Sequence, residues 1–248
     1  MRAAVGTEAI GDFIESVQEV ELLLRADEAP ENALPSPGER RNRRDLKNAL
    51  CRAGLLMLVA HFEGYVKAAL AEFLDEVNGA KPPSRRIPDS LLELFTRDRI
   101  QEILRLDDGT QRIHKTRKLF NVYSVLWDDD RAVNPSLLSS RVLARQFTNA
   151  KAESLEHVLG LIGVEDALQR VEVAVRKRLD DNSPEATRVN LSAKLKEIVE
   201  KRNRIAHGDL TEKPTVPEVR AYLTFLLCVA RSLDELFVER IGYCCSLR

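Results

Sequence analysis

Aromatic residues make up only 5% of this 248-residue chain, and glycine and proline number just 11 and 10. All-β folds need many turns and favour aromatic and β-branched residues, so the scarcity points to an α-helical chain. Charge of one sign is not in excess either: 38 Lys+Arg against 39 Asp+Glu leave a net charge of −1. A sequence-blind basic coat for nucleic acid is excluded, and any nucleic-acid site must be a local patch. Cysteine is sparse, and Cys51, Cys228, Cys244 and Cys245 include no Cys-x-x-Cys or Cys/His pair at zinc spacing. Cys51 and Cys228 fall in apolar helical patterns and read as buried reduced thiols, while Cys244 and Cys245 read as a frayed tail. A reduced, cytoplasmic setting fits this usage. The N-terminal residues carry Glu8, Asp12 and Glu15 with no apolar run behind them, so no secretory signal is read there. The longest apolar run, 53–62, is broken by His61. It is far short of the roughly 20 residues that span a bilayer, and no membrane partner is expected.

What is present is ordinary for a globular chain, with 44% hydrophobic and 31% charged residues. Phe13, Val17, Val20, Leu23 and Leu24 recur at helical spacing and predict a helix over 7–26. Residues 27–38 hold three prolines and a glycine and read as a linker, followed by the basic cluster Arg40, Arg41, Arg43 and Arg44. The longest helix is expected over 45–77, apolar almost all round at 53–62 and therefore buried on every side. Helices are further expected from Pro88-Asp89 to Leu104, over 152–161, 164–179 and 191–207, and over 217–241. Residues 111–150 are the least legible, with 120–127 the one place of strand-like character, where the pattern fits a short strand or a helix turn alike. The expected architecture is all-α: a helical bundle with a long central helix over 39–248, preceded by an N-terminal helical extension over 1–38.

The stretch 191–208 holds the sharpest anomaly. On a helix at about 100° per residue, Leu195, Ile198, Val199, Ile205 and Ala206 form one apolar stripe, and Arg202 falls in its middle. A cation there is costly unless it is paired or snorkels to water. Asn203 and His207 lie four apart on a flank of the stripe, and Glu200 shares that flank. His207 precedes Gly208 at the helix end, where the dipole favours a cation. Spacing alone carries little: 27 arginines and four histidines give about 0.4 chance pairs five residues apart. The second anomaly is Glu63, just past the apolar section of the long helix. Its partner is either Arg202 or, at i, i+4, Lys67. His61, beside the apolar run, reads as a hydrogen-bonded core residue.

Arg202-Asn203-Arg204-Ile205-Ala206-His207 resembles the Arg-polar-x3-His motif of HEPN-domain proteins. AHFEGYVK in the long helix, FTNAKAESLEHVLGLIGV in the middle and the closing amphipathic helix extend the resemblance over about 45–240. The prokaryotic RiboL-PSP-type subgroup is the most similar. The resemblance implies a bundle that dimerises through its motif helices. It also implies cleavage of RNA without a metal or cofactor, often in toxin–antitoxin or anti-phage systems, with an antitoxin as a possible partner. On that pattern Arg202, Asn203 and His207 are the catalytic candidates, with Glu63, Lys67 and Glu200 supporting. Lys201, Arg204, Arg40 and Arg41 are candidates for steering RNA. Some relatives carry a tyrosine two residues after the histidine as a nucleotidylation target, but Asp209 stands there, so that control is not expected. Other members use the fold for nucleotide or protein binding. Such a module would close Arg202 onto His207 internally, and a purely structural chain would leave Arg202 in solvent.

Overall fold

The computed structural model describes residues 6–26, 37–180 and 190–246. The described residues form no strand, only an isolated bridge between Pro83 and Ala132. Helix α1 spans Glu8–Arg25, α2 Pro37–Ala80, α3 Asp89–Leu104, α4 Gly109–Tyr123 and α5 Ser140–Ala144. Helices α6 (Ala152–Leu161), α7 (Ala167–Asp180), α8 (Leu191–Ala206) and α9 (Val216–Cys245) follow.

The long α2 is the axis, and α1, α5, α8 and α9 pack around it. Leu55, Leu58, Val59, Phe62, Val66 and Phe73 on α2 are fully buried, as are Leu226, Val229 and Phe237 on α9. Helix α2 is also long and apolar enough to cross a membrane by length and composition, yet its apolar residues serve this core. Burial on every side over 53–62 is not what forms. Ala53, Leu56 and Met57 stay partly open and Ala60 is exposed, because the four packing partners leave one face of α2 uncovered.

Helix α2 starts at Pro37, eight residues before the sequence-based expectation. Its first turns are polar and exposed, so they carry no apolar period, while proline suits a first helical position. The basic cluster thus lies on α2 rather than ahead of it, and most of the expected linker lies outside the described residues. Of the two readings of 120–127, short strand or helix turn, residues 120–123 take the helical one and close α4. Only Leu119 is buried on that helix, which explains why no stripe is legible there. Cys244 is not in a frayed tail: it is fully buried on α9, and its thiol donates to the Arg86 carbonyl at 3.3 Å. Burial pushes that thiol up to about 11.

Helix α1 is tied in at its start, where backbone N–H groups lack helical partners. Thr7 caps it by accepting from Ile10 N, and the Glu72 carboxylate accepts from Glu8 N at 2.9 Å and Ala9 N at 3.1 Å. Asp234 on α9, only 7% exposed, accepts from Thr7 N at 3.1 Å and from the Thr7 hydroxyl at 2.6 Å. Desolvation pushes the Asp234 carboxyl above its ordinary range; the Thr7 bonds oppose this, while the negative Glu72 and Glu235 add to it. A raised folded-state value means that stability at this group is fully present below the unfolded value and is lost as pH rises through the folded one. Asp234→Asn keeps an acceptor and removes the charge. Its stability relative to wild type should therefore rise as pH goes from 4 to 7. Asp234→Ala orphans both Thr7 donors and should cost about 1–3 kcal/mol. Urea midpoints across that range check both, and equal losses for the two variants at pH 7 would contradict the account.

Candidate functional site

Helix α8 begins with Asn190, whose side chain accepts from Ala193 N, and buries Leu191, Leu195, Ile198, Val199 and Ile205. Ala206, the last residue of the helix, is exposed and does not join that stripe. The end is a Schellman turn: Gly208 N donates to the Ile205 carbonyl at 3.1 Å and Asp209 N to that of Arg204 at 3.0 Å. Gly208 has φ +86°, a conformation that glycine adopts without strain. His207 is the C-cap residue, so its ring leaves the bundle where the chain turns away.

Arg202 does not snorkel free, nor does it close onto His207. Its Nη2 meets Glu63 Oε1 at 2.5 Å, with the two side chains 24% and 19% exposed. The same oxygen accepts from Ala150 N at 3.2 Å. Glu63 thus joins three segments: α2, α8 and the turn before α6. Between the two possible partners of Glu63, the geometry brings Arg202 to it; Lys67, one turn on, is exposed. His207 is exposed, and no described residue makes a hydrogen bond or ion pair with its ring. It lies five residues from Arg202, about 7.5 Å along the axis. Asn203 is half-buried between them and its carbonyl accepts from His207 N at 2.9 Å.

Other expected site residues are engaged elsewhere. Glu200 is exposed and faces Lys196 at 3.8 Å, away from Arg202. Lys201 pairs with Glu218 and lies 3.9 Å from Glu212, while Arg204 pairs with Glu212 at 2.6 Å. Both cations are thereby paired with acids of the following loop and α9. Lys201 belongs to a network joining α8 to α9. The buried Tyr222 hydroxyl bonds Glu197 at 2.5 Å and Glu218 at 2.8 Å, and Lys194 reaches Glu197 at 3.0 Å. Burial and these two carboxylates raise the Tyr222 phenol well above its usual range. Arg41 is exposed on the first turns of α2, and the Arg40 side chain lies outside the described residues. His61 is not a hydrogen-bonded core residue: its buried Nε2 has no hydrogen-bond partner and stands 3.6 Å from Glu19.

Arg52 is a structural partner that sequence reasoning missed. Its Nη1 donates to the carbonyls of Asp209 at 2.5 Å and Glu212 at 3.0 Å, fastening the loop after α8 to α2. Its signal was available: a lone arginine between Cys51 and the apolar run. Together, the Arg52 and Glu63 anchors hold α8 along α2 from its last turns into the following loop, leaving the His207 turn fixed but open. Among the described residues no group of three or more His, Cys, Asp or Glu side chains gathers as a metal site.

An all-α bundle with an Arg-x4-His motif closing its penultimate helix is the HEPN type of domain. The chain belongs to the RiboL-PSP-HEPN family, whose model matches residues 12–239 and so takes in most of α1 as well as the bundle. Comparison with curated proteins and with solved structures gave no match.

Proposed function

We propose that this HEPN domain is an endoribonuclease that cleaves RNA by attack of a ribose 2′-OH on the adjacent phosphate. The observation that carries the reading is the contrast within one helix end. Arg202 is oriented by Glu63, while His207 presents an unengaged ring to solvent. The reaction needs a base, an acid and a cation for the charge that grows on the phosphorane. His207 moves the protons, Arg202 grips the phosphate, and Asn203 orients one or the other. The products are a 2′,3′-cyclic phosphate and a 5′-OH end. These groups supply the chemistry without a metal or cofactor.

One histidine cannot serve as base and acid in the same step, so a second copy of the chain completes the site with its own His207 and Arg202. The α2 face carrying Ala53, Met57, Ala60 and Gly64 remains partly open beside α8, and Leu210, just past the motif, is 74% exposed. Open apolar surface of this kind suits a homodimer built on the motif helices. The biological role that fits is a cytoplasmic toxin or anti-phage effector, restrained by an antitoxin partner. Light scattering and an RNA-cleavage assay test the reading. The expected result is a dimer that cuts RNA with EDTA present and slows growth of its host when expressed. A monomer that leaves RNA intact and is harmless to the host would contradict it.

A further inference from the structure

A basic depression flanks the Arg202–Glu63 pair. One cavity of about 480 Å³ is lined by Lys67 of α2, by Arg141 and Arg145 at α5, and by Thr148. A second, of about 430 Å³, shares Arg145 and Thr148 and continues to Lys151 and His157 at α6. Lys67, Arg141, Arg145 and Lys151 make no ion pair or side-chain hydrogen bond among the described residues. That sets them apart from the motif-helix cations Lys201 and Arg204, both of which are paired with acids. No acidic residue occurs between Asp130 and Glu153, and Glu153 at the far rim is the one carboxylate lining either cavity. The turn between the cavities is held in place: Thr148 N donates to Ser154 Oγ at 3.1 Å, Asn149 Oδ1 accepts from Lys151 N at 3.0 Å, and Ala150 N donates to Glu63. The same carboxylate oxygen that orients Arg202 therefore anchors the floor of the depression.

We propose that this depression is a phosphate track that binds the backbone of single-stranded RNA and leads it to Arg202. Its ligand rests on the ribonuclease reading; its test does not. Four unpaired cations in a concave strip match a run of phosphodiesters, and Phe147, the one Phe, Tyr or Trp among the described lining residues, is buried. The track grips charge rather than stacking bases, so binding is indifferent to sequence.

The test uses the full chain carrying His207→Ala, so that RNA is not consumed, and a fluorescein-labelled 12-nucleotide single-stranded RNA. Dissociation constants are measured from 50 to 200 mM salt. Adding Arg141→Gln, Arg145→Gln and Lys151→Gln should weaken binding at least tenfold at 50 mM. It should also reduce the slope of log Kd against log salt by about 2, at about 0.7 for each phosphate no longer neutralised. If that variant melts early, each single substitution should reduce the slope by about 0.7 instead. A control carrying Arg25→Gln, Arg97→Gln and Lys177→Gln removes as many exposed cations from α1, α3 and α7 and should bind like the parent. An unchanged slope, an equal loss in the control, or no RNA binding by the parent would overturn the track. The two readings fail separately. A wild type that binds RNA steeply with salt but never cuts it defeats the nuclease and leaves the track. A wild type that cuts RNA while the triple variant keeps the parent's slope does the reverse.

Discussion

His207→Ala should lower RNA cleavage by about 10²–10⁴-fold, the usual contribution of a positioned proton-transfer group, without changing the melting temperature. The ring is exposed and bonded to nothing in the described chain, so its removal leaves no cavity and no orphaned partner. Arg202→Ala should behave differently. It removes the cation that meets developing negative charge, at about 10²–10³ in rate. It also strips the partner from a carboxylate that is only 19% exposed, at about 1–3 kcal/mol of stability. Arg202→Lys keeps charge but loses the planar fork, so it should restore stability more than rate. Initial rates and thermal melts of the three variants separate the two roles. Equal loss of stability in His207→Ala and Arg202→Ala would mean that both residues serve the fold alone.

Phe13→Ala should cost about 3–5 kcal/mol in urea unfolding, as large a loss as any core truncation gives. Phe13 is buried on α1 and meets two aromatic rings of α2. It is edge-on to Phe62 at 6.0 Å between centroids and stacked on Tyr65 at 5.4 Å. Tyr65 in turn donates its hydroxyl to the Ala230 carbonyl of α9 at 2.8 Å. Loss of Phe13 therefore opens the junction of three helices rather than loosening an appendage. The unfolding should stay a single transition by far-UV circular dichroism and by tyrosine fluorescence. A loss below about 1 kcal/mol, or a separate early transition, would make α1 an accessory helix.

Much of this was legible because one rule governs it: an apolar stripe at helical period must face a core. That rule placed α1, α3, α6 and α9, and it made Arg202 conspicuous, since a cation in such a stripe requires a partner. Glu63 was visible as one candidate for the same reason. The rule is silent where the period is missing. The first turns of α2 are polar, and α4 buries only Leu119. It is silent also about pairing across the fold. Lys201 and Arg204 look like free cations along α8, but Glu212 and Glu218 reach them from the next loop and from α9. Conversely, Lys67, Arg141, Arg145 and Lys151 are unremarkable in the sequence and become a strip only when α5 and the turn before α6 meet α2.

The most direct test of the central claim is the chemistry of the cut ends. End-labelled RNA incubated with the wild-type chain in EDTA should yield upstream fragments ending in a 2′,3′-cyclic phosphate and downstream fragments beginning with a 5′-OH. His207→Ala should yield neither. Fragments with 3′-OH and 5′-phosphate ends, cleavage that stops in EDTA, or cleavage that persists in His207→Ala would contradict it.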